Sequence, residues 1–218
     1  MRFFKLKNLN WKYIVGEILL LFVGINLAIW FNDWNASKTV QQNKEVALAK
    51  IKGEISANLE ELMENGTLNQ RIPAFFREVD SLENEEGKLI LTPKVLQDFA
   101  KRYSDYFVQI DSIEVGDGRY QYEGDTFLRL EISDLSSIAW DISKSTGIFH
   151  EFGYDCLYQL QGIYNTQELV EKEFEKATEA LRDQSVDDLV RILDILEQLE
   201  NQLERQYKDM IQNIDNCK

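Results

Sequence analysis

Few side chains in this sequence have the types and spacing for chemistry. His150 is the only histidine, and Cys156 follows it by six residues. A thiolate beside an imidazole would make a nucleophile, but that gap puts the two on different helical faces and nothing near them supplies an oxyanion hole. A single histidine also excludes most metal sites and most catalytic triads, so His150 reads as a partly buried structural residue. The other candidate set is Asp111, Glu114, Asp117, Glu123 and Asp125. Ca²⁺ takes about six to eight oxygens from flexible loops, and these acids lie in such a stretch, yet without the spacing of an EF-hand. With 38 acids in the chain, a local cluster is expected by chance, and no carboxylate pair is distinguished as a glycosidase pair would be. No Gly-rich phosphate loop, Walker pattern or nucleophile elbow occurs. The sequence therefore assigns no catalytic residue, no cofactor and no metal. A carboxylate or Ca²⁺ site in the 111–125 loop, serving an envelope hydrolase, stands as an alternative reading.

The elements that would position any site begin with "YIVGEILLLFVGINLAIWFNDWN", Tyr13 to Asn35. From Ile14 to Phe31, eighteen residues rise about 27 Å as a helix, close to the ~30 Å hydrocarbon core of a bilayer. Twelve of them are Leu, Ile, Val or Phe, worth roughly −4 to −7 kcal/mol of insertion against roughly +3 for Glu17 at the helix centre. Glu17 lies within about one turn of the boundary, where its cost is smaller. Trp11 and Tyr13 before the run, with Trp30 and Trp34 at its exit, fit the aromatic belts of the two interfaces. Arg2, Lys5, Lys7 and Lys12 give the first twelve residues +4, leaving −18 for the remainder of a chain with net charge −14. The positive-inside tendency keeps that basic end in the cytoplasm and exports the rest. No small-x-small site follows the span, so it reads as a retained signal anchor, not a cleaved signal peptide. The expected location is a bacterial inner membrane, with the C-terminal domain in the periplasm. The acidic remainder argues against nucleic acid and anionic lipid as partners.

At 100° per residue, Glu17, Gly24, Ala28 and Asn35 fall on one stripe, with Gly24 and Ala28 in the spacing that lets membrane helices approach closely. Asn26, nine residues from Glu17, lies on the opposite face and marks a possible second packing surface. The alternative is an amide that bonds back to its own helix. These residues predict a homo-oligomer or a membrane partner protein. They also leave open an oligomeric channel with Glu17 in a proton path.

Tyr13, Gly16-Glu17-Ile18-Leu19-Leu20, Gly24-Ile25, Ala28, Asn32 and Trp34-Asn35 resemble the signature of an uncharacterised family of small bacterial single-span membrane proteins. The chain departs from that pattern at Asn26 and Trp30. A second, weaker likeness runs through Ala139–Gly147 and Tyr158–Tyr164. The resemblance implies one N-terminal span followed by a mostly helical extracytoplasmic region, and no known activity.

The organisation expected is a basic segment over 1–12, a transmembrane helix over 13–34, a stalk helix over 35–66 and a helical domain over 67–218. Leu48, Ile51, Ile55, Leu59 and Leu62 recur at helical spacing in the stalk, which Asn65-Gly66 should stop. Pro73 opens a second helix, and Thr92-Pro93 starts a third that should end near Val108. Residues 109–132 read as a loop or short hairpin turning at Glu123-Gly124-Asp125. Ser133 caps a helix that Gly147 ends. A longer one fits Glu151 to Asp183, and Ser185-Val186-Asp187-Asp188 is a capping box for the last. There Leu189, Leu193, Leu196, Leu199, Leu203, Tyr207 and Ile211 form a stripe suited to an intramolecular bundle. The fold class is mainly α with one small β insertion. Cys156 and Cys217 are too few for a disulfide framework and read as a small buried hydrophobe and a frayed terminal thiol.

Overall fold

The structure, a computed structural model, describes residues 11–217. The basic residues Arg2, Lys5 and Lys7 lie outside them. Helix α1 runs unbroken over Trp11–Asn69, followed by α2 (Arg71–Leu82), β1 (Leu89–Leu91), α3 (Pro93–Arg102), β2 (Phe107–Gly116), β3 (Arg119–Thr126), α4 (Ile138–Ser145), α5 (Tyr154–Arg182) and α6 (Val186–Asn213). Short 3-10 turns at Ile148–Glu151 and Ile214–Cys217 precede α5 and end the described chain. The mainly α fold with a small β insertion is what the periodicity predicts.

The core is a bundle of the distal part of α1 with α5 and α6. Leu48, Ile51, Ile55 and Leu62 of α1 pack with Leu160, Ile163 and Val170 of α5 and Leu189, Leu193, Leu196 and Leu203 of α6, all buried. The α6 stripe thus closes an intramolecular core, and from Leu48 onward the stalk is itself a member of the bundle. Asn65-Gly66 does not stop α1, because both residues have tertiary work. Asn65 Nδ2 donates to the Ile132 carbonyl at 2.9 Å, and a Cβ at Gly66 would stand 3.0 Å from Glu200 Oε2 of α6. Glycine there lets the two helices come close.

β1, β3 and β2 form an antiparallel sheet in that order. Its hairpin turns at Asp117-Gly118, both with positive φ (54° and 68°), between the paired Gly116 and Arg119. Asp-Gly is the favoured two-residue turn because both positions need a left-handed backbone. The expected turn at Glu123-Gly124-Asp125 lies inside β3 instead, where a Cβ on Gly124 would stand 2.9 Å from the Gln109 carbonyl oxygen. α3 also stops at Arg102, earlier than expected, since Phe107 is drawn into β2 and packs on Phe75 and Phe99. Ser133 does not cap α4, which begins at Ile138.

Residues 127–137, between β3 and α4, carry no regular secondary structure, yet they are bound along α1. Asn69 exchanges two hydrogen bonds with the backbone of Glu131, donating to its carbonyl and accepting from its N–H, both at 2.8 Å. Asn58 does the same with Ser136, at 2.7 and 2.9 Å. Between them Glu61 Oε1 accepts the Asp134 N–H at 2.6 Å. Glu54 accepts the Ala139 N–H at 2.7 Å and the Ser136 hydroxyl at 3.0 Å. A carboxylate from α1 therefore satisfies a free N–H of the first turn of α4. Glu54, Asn58, Glu61, Asn65 and Asn69 recur every three or four residues, so one edge of α1 supplies the partners an extended strand would otherwise take from a sheet. Behind this strap, Gln167 Nε2 donates to the Leu135 carbonyl and Gln167 Oε1 accepts from the Tyr207 hydroxyl, both at 2.8 Å. Tyr164 donates to Glu54 Oε1 at 2.6 Å. Burial and the Glu54 carboxylate push the Tyr164 hydroxyl well above the usual phenol range, so it remains a donor.

The cysteines correct the sequence reading. Cys156 in the first turn of α5 and Cys217 after α6 form a disulfide, with Cα atoms 5.5 Å apart, and neither is a free thiol. Two antiparallel helices of 29 and 28 residues bring their outer ends together, which is where the two cysteines stand. Closing a 61-residue separation is worth about 2–4 kcal/mol, chiefly through the unfolded chain.

Cys217→Ser should lower stability by about 2–4 kcal/mol in urea unfolding of the full-length protein, and the native oxidised protein should take up no thiol reagent until it is reduced. Asn58→Ala should cost about 1–3 kcal/mol in the same assay, because it strands the half-buried backbone of Ser136 and removes a partner of the buried Gln167 amide.

Candidate functional site

From Trp11 to Asn43 every residue of α1 except Ile14 is exposed, a length of about 50 Å with no other element against it. This stretch contains the only helical segment, among the described residues, long and apolar enough to cross a membrane. Leu20 is 73 % and Phe22 68 % exposed. Monomeric soluble proteins rarely leave an apolar surface of that size in water, so it calls for lipid or protein around it.

Trp11 and Tyr13 project outward at one end, Trp30 and Trp34 at the other. Lys38 Nζ lies 5.9 Å above the Trp34 ring, a cation placed at the exit of the apolar run. Glu17, Gly24, Ala28 and Asn35 lie along one line of the helix, all of them exposed, and among the described residues no other element meets them. A Cβ at Gly24 would meet nothing within 4 Å. Asn26 Nδ2 donates to the Phe22 carbonyl at 2.7 Å, four residues back in its own helix. This bond within its own helix satisfies part of the amide without a neighbour.

The candidates for chemistry do not converge. His150 is exposed, not partly buried, with its ring centroid 4.0 Å from that of Phe149 in the 3-10 turn. Cys156, bonded to Cys217, has no thiolate to offer it. In the hairpin, Asp111 pairs in register with Glu123 and Asp125 with Gln109, while Glu114 pairs with Tyr120 and Asp117 sits in the turn. Strand alternation sends Asp111 and Glu114 to opposite faces. Among the described residues no group of three or more His, Cys, Asp or Glu is placed to hold a metal ion.

Two concavities were not visible in the sequence. A groove of about 660 Å³ runs between α1 and α4, lined by Val46, Ala47, Ile138, Ile142 and Ile148. A smaller cleft of about 370 Å³ opens between α2, α3 and the sheet, over Phe75, Phe99 and Phe107. Six aromatic residues between 75 and 107 were the sequence signal for the second. Their convergence needed the sheet to fold back onto α2.

One titrating group stands out in the helical core. Glu200 on α6 is 8 % exposed against Gly66, with no hydrogen-bond partner among the described residues. Burial, with a smaller repulsion from Glu197 one turn earlier, pushes its carboxyl up to about 7.

No known protein family, no curated protein and no solved structure matches this chain.

The folded protein holds the Glu200 proton more tightly than the unfolded chain, so stability is fully present below about pH 4.5 and falls as pH rises through about 7. Glu200→Gln should flatten the stability profile over this window. At pH 8 the variant should be the more stable protein, by on the order of 1–3 kcal/mol in urea titrations.

Proposed function

We propose that this protein is a single-pass membrane-anchored binding or scaffold protein, with its helical domain on the periplasmic side of a bacterial inner membrane, that works by helix-helix association. The observation that carries the reading is the phase of α1. The helix is unbroken from the apolar segment into the bundle, so angular positions transfer from one to the other. Val46, Gly53 and Ala57 continue the line of Glu17, Gly24, Ala28 and Asn35, all within about 40° of Ala28 at 100° per residue. All of these residues are exposed. The buried Leu48, Ile51, Ile55 and Leu62 lie roughly opposite, about 140–200° away. Two copies of α1 could thus lie parallel along this stripe with both bundles facing outward and unobstructed.

The disulfide supports an exported domain, since such bonds persist in oxidising compartments and are rare in the cytosol. The basic N-terminal residues, the aromatic ends of the apolar run and the acidic domain agree with the same orientation. A partner membrane protein would use the same stripe. The channel and hydrolase alternatives gain no support from geometry, as among the described residues Glu17 meets no second polar group and the hairpin acids do not converge.

Gly24→Leu or Ala28→Leu should shift the detergent-solubilised species to smaller mass in light scattering, and unchanged mass would overturn the association. In membranes, Val46→Cys should cross-link to a dimer on oxidation. Gln41→Cys, exposed but about 140° from the stripe, should not.

A further inference from the structure

Helix α4 is apolar on two sides. Trp140 and Ser143 face the core, whereas Ile138 and Ile142, one turn apart and roughly opposite, are 67 % and 56 % exposed. Both line the groove of about 660 Å³ between α1 and α4, whose other wall is α1 itself with Val46 and Lys50. Val46 is 59 % exposed, so three large aliphatic side chains surround one trench that no other element among the described residues fills. A contiguous apolar surface of this kind marks an interaction site.

Its place on α1 identifies the occupant. At 100° per residue Val46 lies in line with Ala28, while Lys50, Asn43, Glu54 and Ala47 sit about 40–100° to one side, where α4 packs. The groove therefore opens directly beside the stripe, and a helix laid along Val46 rests on α1 and α4 together. Ala49 and Gly53, both exposed, lie about 60° and 20° to the other side of the same line. Two copies that leave one membrane surface stand at the same height, and a twofold axis between their α1 helices turns the Ala49 side of each toward the α4 side of the other. The heights agree, because the Ala139 N–H is bonded to Glu54 and α4 continues from there past Lys50. Small residues make room at that level: a Cβ at Gly53 would meet nothing within 4 Å in its own chain. Farther along α1 the line turns acidic. Glu60 and Glu64, exposed and within about 40° of it, would face their own copies, which ends the contact near Ala57. Residues 1–10 cannot be the occupant, since Trp11 is about 48 Å from Asn43 along α1 and ten residues span at most about 36 Å.

We infer that the groove between α1 and α4 receives α1 of a second copy, with Ile138 and Ile142 of each protomer packed on Ala49 and Gly53 of the other. This rests on the α1 association proposed above and extends it from the apolar segment into the helical domain, over residues 43–57.

Cross-linking in membranes tests it with two differently tagged full-length copies, Ile142→Cys in one and Ala49→Cys in the other, and a short bismaleimide. A product carrying both tags is expected, and Ile142→Cys with Gln41→Cys should give none. In detergent, energy transfer between fluorescently tagged copies should show Ile138→Ser with Ile142→Ser weakening the dimer at least about tenfold, with thermal unfolding unchanged because both side chains are exposed. Gly53→Trp should weaken it as well, although its own chain has room for the ring. If Val46→Cys cross-links and the Ile142–Ala49 pair does not, or if the serine variant dimerises with unchanged affinity, the inference is overturned while the α1 association stands. If Val46→Cys fails to cross-link and the protein is monomeric, the association itself is wrong and the inference falls with it. A product of Ile142→Cys with a different protein in place of the tagged copy would overturn it in favour of a foreign partner.

Discussion

One polar edge of α1 holds the domain in its shape. A helix normally contributes an apolar stripe to a bundle, and α1 does so with Leu48, Ile51, Ile55 and Leu62. Beside that stripe, Glu54, Asn58, Glu61, Asn65 and Asn69 bind an extended strap that runs antiparallel to the helix from Glu131 to Ala139. Extended backbone laid half-buried along a helix has no ladder partner, and each amide left unpaired away from water would cost up to about 1–3 kcal/mol. The asparagine amides solve this because each presents a donor and an acceptor at the spacing of one peptide unit. Fixing the strap fixes both of its ends: the sheet that precedes it and α4, whose first turn is held by Glu54.

That arrangement gives α1 three faces with separate roles. One joins α5 and α6, one carries the strap, and the third is left open along its length. The open face is in phase with the small residues of the apolar segment because no proline, bulge or break separates them. A kink near Asn35 would have uncoupled the proposed membrane contact from the domain. The unbroken helix instead makes any rotation of one a rotation of the other.

Much of this was legible locally. The long apolar run, the helical periods of α1, α5 and α6, Thr92-Pro93 at the start of α3 and Gly147 at the end of α4 all report on residues within a turn or two of each other. Gly147 takes φ 75°, as a helix-ending glycine should. Ser185 is the N-cap residue of α6, although its hydroxyl donates to the Asp188 carboxylate at 2.8 Å and not to a backbone group. The hairpin has a local signal too, because Asp117-Gly118 is the stronger turn dipeptide and Glu123-Gly124-Asp125 the weaker. Asn65-Gly66 misled because the same residues that end a helix locally can be recruited by distant partners.

By itself the sequence determined which stretches are helical, that one of them is long and apolar enough for a bilayer, and that its Glu17, Gly24, Ala28 and Asn35 share a line, because periodicity and propensity act over a few residues. The strap's partners are 62 to 85 residues away from α1 along the chain, the cysteines are 61 apart, and the cleft joins rings from α2, α3 and β2. Only the tertiary structure decided those, since a hydrogen bond, a disulfide or an aromatic contact depends on which surfaces meet, and no local pattern records that.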